Sequence, residues 1–395
     1  MIRAVSINSV FILVLFLYAY SGMEKWLIFF VDPTLVFGLL TLTTLPFFFN
    51  KKIINAGNKL NIVIGLILSI HLFILISAFY TVSDSYYIIK IGKIFFNLIA
   101  LLMPIIILSN EKSFEVLKKY CWYAFIFCLL LLLIELISNN LDRIRFSSGE
   151  ITEINPLPDY MSISYFLGTM ILMWSETRDK LKIFLLFIGF IFMLLLAAKG
   201  PILFLAICLF WQYRHKIKIF KLGNLFYILG AILIIQVFSI ITNNSVFLNL
   251  AGRLLFFSDG LDADQSSLER VFLFGKAIEI IQSNFFFGVG IGGFAKAFSG
   301  VDARLSAHNI FLEIWSELGV FPILILIFLF IYSRIQYKKI IKMFPNTYSN
   351  SILSIVFYMF LGLLVSSYLE DLRLTYFWVG ISVAYSSVMF KKLKA

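Results

Sequence analysis

The sequence is poor in charge. Charged residues make up 14% of it, against about 25% in an ordinary soluble domain. Hydrophobic residues make up 61%, with 45 phenylalanines. That balance excludes an ordinary water-soluble fold and reads as a membrane protein. Cysteine is scarce as well. Three cysteines are too few for a disulfide framework or a structural zinc site. Cys121, Cys128 and Cys208 all fall in apolar runs and read as packing residues. No low-complexity tract and no internal repeat stands out. The net charge of +11 raises the question of a nucleic-acid partner, but its distribution follows membrane topology instead. No nucleic acid, metal or cofactor is expected.

What is present is a succession of apolar runs. A helix needs about 20 apolar residues to cross the hydrocarbon core, and about twelve runs can be read as spans, the eighth of them short. They cover roughly 6–21, 33–49, 60–80, 88–108, 120–137, 160–174, 183–198, 201–211, 225–241, 309–332, 351–369 and 374–390. The expected fold is an all-α polytopic membrane protein in three parts: spans one to nine over 1–242, a large polar loop over 243–307, and spans ten to twelve over 308–395. With the N-terminus inside, clusters such as Lys118-Lys119, Arg214 to Lys221 and Lys391-Lys392 all face the cytoplasm. Most of the 33 basic residues then obey the positive-inside rule. Both termini are expected in the cytoplasm, and 243–307 faces outward. The first run has the basic start and small residues of a signal peptide. Cleavage would leave the helix parity unexplained, so it reads as an uncleaved span.

The basic residues left outside break the topological bias and need another reason. An anionic substrate at the outer face is one, since guanidinium forks match phosphate oxygens. Solvated loop charges and local ion pairs are the plain alternative. Lys90 and Lys93 lie one helical turn apart near the outer end of the fourth span. They read either as substrate contacts or as snorkelling side chains. Lys199 sits in a very tight turn between two apolar runs, with the same two readings. Arg253, Arg270 and Arg304 lie in the large loop.

Within that loop, residues 266–283 read as an amphipathic helix, with apolar positions 271, 274, 278 and 281 at helical spacing. Ser266 or Ser267 would cap it, which places Arg270 in the first turn. The run Gly288-Val289-Gly290-Ile291-Gly292-Gly293 has no strand–helix unit around it and no Lys-Ser/Thr after it, so a nucleotide cradle is excluded. The glycines instead allow a sharp turn or a close backbone approach. His308 is the one outward-facing histidine, and imidazole titrates near neutral pH, which suits a general base. The plain alternative is a structural histidine at a helix start. Asn309 and Glu313 follow it on the next face.

Arg270, the glycine run ending in Phe294, and His308-Asn309-Ile310-Phe311-Leu312-Glu313 before Glu317-Leu318-Gly319 form a series. It resembles the O-antigen ligase/polymerase family, most strongly over about 265–325. The resemblance implies a GT-C-like, metal-independent glycosyltransferase of the bacterial inner membrane. Its donor would be an undecaprenyl-diphosphate-linked glycan on the periplasmic face, with a chain-length regulator as a further partner. His308 and Arg270 would be catalytic, with inversion at the anomeric carbon. Lys199, Lys90, Lys93, Arg253, Arg304, Asn309 and Glu313 would contact diphosphate or glycan. The family often has arginine where this chain has Lys199. The expected member is an O-antigen polymerase, with an O-antigen ligase as the alternative and a flippase as the rival from another class.

Overall fold

The apolar runs become helices because their backbone groups must be satisfied locally wherever water is absent. The computed structural model describes residues 7–20, 33–44, 58–138, 160–196, 198–213, 265–343, 347–365 and 369–394. Regular structure among them is entirely helical. The helices are α1 (Ile7–Tyr20), α2 (Pro33–Thr43), α3 (Asn58–Ser77), α4 (Tyr86–Ile107), α5 (Glu111–Ser138), α6 (Tyr160–Trp174), α7 (Lys180–Leu195) and α8 (Lys199–Tyr213). They continue with α9 (Gln265–Ser283), α10 (Phe294–Ser299), α11 (Ile310–Leu318), α12 (Val320–Met343), α13 (Thr347–Leu363) and α14 (Arg373–Lys394), with a 3-10 turn at Leu369–Asp371. By length and composition α4 and α5 can each cross a bilayer, and several other helices are apolar but shorter.

Eleven expected spans carry helix. The ninth, 225–241, lies outside the described residues, as does Arg253. The tenth differs from expectation, being two helices rather than one. Gly319 ends α11 with φ +83°, and a Cβ there would overlap the carbonyl of Phe286. Only glycine meets both conditions without strain.

Two compact units are present. The second holds most of α5 with α6, α7 and α8, where α6 packs on both α7 and α8. Asp179 caps α7 by accepting from the Leu181 and Lys182 amides. The first unit holds α1 to α4, the start of α5, and α9 to α14. In it α14 lies along α4, α12 along α3, and α9 on α11. Ile74, Ile94, Ile314, Leu318, Ile323 and Leu369 meet in one apolar core. This core encloses α11, the helix that follows His308.

The loop helix forms over nearly the expected residues, but its packed face is turned from the expected one: of positions 271, 274, 278 and 281 only Ile281 is buried. Leu273, Ala277 and Ile280 are buried, packing with Val289, Phe294 and Ala307. Val271 and Ile278, expected in the core, are exposed. The helix has two apolar stripes, and periodicity alone does not say which one packs. It begins at Gln265, so Ser266 and Ser267 lie inside it and Arg270 falls in the second turn.

Candidate active site

The glycine run is a backbone clasp. The Val289 and Gly290 amides donate to the Ser316 and Glu317 carbonyls at 2.9 and 2.8 Å, at the end of α11. On its other side Val82 N donates to the Val289 carbonyl at 3.0 Å, and Thr81 Oγ1 donates to the Ile291 carbonyl at 2.8 Å. Gly290 has φ +83°, and a Cβ on it would run into the Thr81 backbone. The clasp therefore joins the loop before α4 to the end of α11, with the Gly290 backbone directly against that of Thr81.

A second tie comes from Asp302. Ser85 precedes α4 but makes no side-chain cap. Asp302 Oδ2 instead accepts from the amides of Asp84, Ser85 and Tyr86 at 3.0, 2.7 and 3.1 Å. Its Oδ1 accepts from Ser83 Oγ at 2.7 Å. Desolvation is the largest single effect and opposes the charge, but these four donors together outweigh it and bring the carboxyl down to about 2. The start of α4 thus receives its anion from a loop more than 200 positions away.

His308 stands just before α11 in a left-handed conformation, φ +51°. Its amide donates to Ser306 Oγ at 3.1 Å. Asn309 caps α11, with Oδ1 accepting from Phe311 N at 2.9 Å and Leu312 N at 3.2 Å. Asn309 Nδ2 donates to the Leu364 carbonyl at 2.9 Å. Burial, then the charge of Arg270, hold the His308 imidazole below its ordinary value, with Glu269 opposing them. Arg270 lies on the same face of α9 as Ala277 and Ile281, the face that meets α11. The two residues expected to be catalytic therefore act on each other electrostatically. A neutral imidazole can accept a proton, and a guanidinium can attract an anion.

Lys90 is enclosed, with 1% exposure. Its ammonium donates to Glu313 Oε1 at 2.6 Å and to Glu317 Oε1 and Oε2 at 2.9 and 2.8 Å. Glu313 is fully buried, and its Oε2 accepts from Leu369 N at 3.0 Å. Lys90 and Glu313, both expected among the substrate contacts, thus contact each other. Lys93, one turn along α4, is exposed and donates to Glu370 Oε1 at 2.9 Å. Arg304 Nε reaches the same oxygen at 2.7 Å, and its Nη2 reaches Asp371 Oδ2 at 2.7 Å. Tyr86 Oη donates to Glu370 Oε2. Burial favours the neutral acid at Glu370, but the Tyr86 and Lys93 hydrogen bonds and the Arg304 charge prevail and hold it below its ordinary value. Among the described residues, no group of His, Cys, Asp and Glu is arranged to hold a metal ion.

Residues 163–329 match the family model described as O-Antigen ligase. That match spans less than half of the chain. No curated protein matches the chain. The O-antigen ligase family match takes in Lys199, Arg253, Arg270, Arg304, His308, Asn309 and Glu313, while Lys90, Lys93 and Glu370 lie outside it. Lys199 is the first residue of α8 and half-buried, in the other compact unit.

Three residues of this site escaped the sequence reading. Glu317 stands four residues after Glu313, so its shared face was legible. Glu370 was visible only as a polar turn. Asp302 carried no local signal, because its donors are remote in sequence.

Proposed function

We propose that the chain is an O-antigen polymerase of the bacterial inner membrane. It joins undecaprenyl-diphosphate-linked repeat units on the periplasmic side, with both termini in the cytoplasm. The observation that carries the reading is the placement of His308 directly before α11, within the residues that match the O-antigen ligase family model. The acceptor hydroxyl oxygen attacks the anomeric carbon of the donor sugar, and His308 takes the hydroxyl proton. The bond from that carbon to the diphosphate oxygen breaks, and undecaprenyl diphosphate leaves. Arg270 stabilises the charge that develops on it, with Lys93 and Arg304 as further cations for diphosphate or glycan. One displacement inverts the anomeric centre. Lys90, Glu313 and Asn309 act as positioning residues, because they are committed to holding α11.

The matched family description favours a second reading, an O-antigen ligase that moves the glycan to the lipid A core. Deleting the gene separates the two. Lipopolysaccharide core carrying one repeat unit supports the polymerase. Core alone, with polymer held on its carrier, supports the ligase. An unchanged ladder rejects both. The site assignment fails if His308→Ala and Arg270→Ala proteins, present at normal level, still give full-length polymer.

A further inference from the structure

The loop helix α9 has a second apolar stripe, interrupted by Glu279 and packed, among the described residues, only where the Phe272 ring meets Phe298 at 5.6 Å. Leu268, Val271, Phe272 and Ile278 lie on one side of it, opposite Leu273, Ala277 and Ile280. All four are exposed, Val271 by 65%. The helix leads directly into Phe285-Phe286-Phe287, a turn in which Phe286 and Phe287 are 60% and 65% exposed. So large an uncovered apolar surface on a loop marks a contact with something.

The surroundings identify the contact. The Phe287 ring lies 6.4 Å from Tyr80 and 6.4 Å from Phe321, at the end of α3 and the start of α12. Phe79 beside it is 91% exposed. Along α3 and α12 the exposed surface continues apolar through Leu72, Ile76, Leu324 and Phe328. These are flanks of apolar helices in a polytopic membrane protein. The aromatic rings sit where those flanks end, as at a membrane–water interface. Trp315 Nε1 and Tyr80 Oη turn their polar tips to the carbonyls of Phe285 and Phe287. Lys276 lies over the Phe272 ring, 5.9 Å from its centre, with its charge paired to Glu279. Apolar ring and outward charge side by side are the pattern of an interfacial helix.

We propose that this face of α9 and the Phe285–Phe287 turn are seated in the bilayer interface on the side of these loops. The partner is the lipid surface itself. Seen this way, α9 is a spacer with lipid on one face and His308 on the other. Arg270 is then held at headgroup depth, the level of a diphosphate on a membrane-embedded polyprenyl chain. That last consequence rests on the proposed polymerase reading, whereas the insertion does not.

The test uses the full chain in phosphatidylcholine–phosphatidylglycerol vesicles. Phe286→Cys is labelled with a bimane fluorophore, against the unaltered protein, whose described cysteines are buried. Val271→Cys on α9 is the second variant, in case the first does not fold. Insertion predicts several-fold stronger quenching by phosphatidylcholine bearing a shallow nitroxide than by aqueous iodide. Dominant iodide quenching at both positions overturns the proposal. Protection from both quenchers also overturns it, because protein then covers the face. So does lipid quenching that appears only on adding undecaprenyl phosphate, which would make the face a polyprenyl groove. Repeating the measurement with His308→Ala separates insertion from catalysis. Unchanged quenching there upholds insertion even if the polymerase reading fails.

Discussion

Lys90 Nζ lies 2.6 Å from Glu313 Oε1, and the pair joins segments 223 residues apart. With Glu317 it fastens α11 to α4 through charges removed from water. Removing one member of such a buried set strands the others and costs on the order of 3–5 kcal/mol. Lys90→Met is therefore expected to lower thermal stability in detergent sharply. Adding Glu313→Gln and Glu317→Gln should restore most of it. If Lys90→Met leaves the melting point unchanged, the ion cluster is not a fastening.

The Arg270–His308 coupling appears in the pH profile of polymer synthesis. His308 sits below its ordinary value of 6.5 through burial and the Arg270 charge. Its neutral form therefore persists to lower pH than that of a free imidazole, and activity falls as pH drops through the lowered value. Arg270→Gln removes one of the two lowering causes. The acid limb should then move to higher pH, together with a loss of maximal rate. A rate loss with an unmoved limb would mean that Arg270 acts on substrate but not on His308.

Asp302 provides a pH-dependent stability. Its folded value of about 2 lies below the ordinary 3.8. The stabilisation is complete above the ordinary value and is lost as pH falls toward 2. Asp302→Ala should cost about 1 kcal/mol, as for a lost helix cap. The difference between variant and parent melting temperatures should shrink in acid. A difference that stays constant with pH would exclude the ionised cap.

Gly290→Ala tests the clasp. Its left-handed backbone alone costs a non-glycine residue about 1–3 kcal/mol, and the Cβ also meets the Thr81 backbone. The variant should accumulate poorly and be cleaved by protease near residue 290. Gly275→Ala on α9, with open space around it, should behave as the parent. Equal protease resistance in both would remove the clasp.

Glu370 holds Lys93 and Arg304 on a single oxygen. Glu370→Gln keeps the shape and removes the charge. If Lys93 and Arg304 serve the donor, this change should raise KM more than it lowers the rate at saturating donor. An equal KM with lowered stability would restrict Glu370 to a structural role.

The sequence by itself determined where the helices run, because length and apolarity of each run are local properties. It also determined which residues could do chemistry. Arg270, the glycine run and His308 are recognisable from residue type and order, and the match to an O-antigen ligase family domain covers all three. Only the tertiary structure decided what surrounds each of them. Lys90 and Lys93 differ by one turn of the same helix, yet one is enclosed by two carboxylates and the other remains exposed. Val271 and Leu273 are equally apolar, yet one is exposed and one is core. Asp302 is an ordinary loop acid until four donors from a remote segment surround it. Burial and pairing depend on partners that the chain brings together only on folding. For that reason the loop over 243–307, expected to face outward, holds in its described part an apolar stripe whose exposure only packing decided.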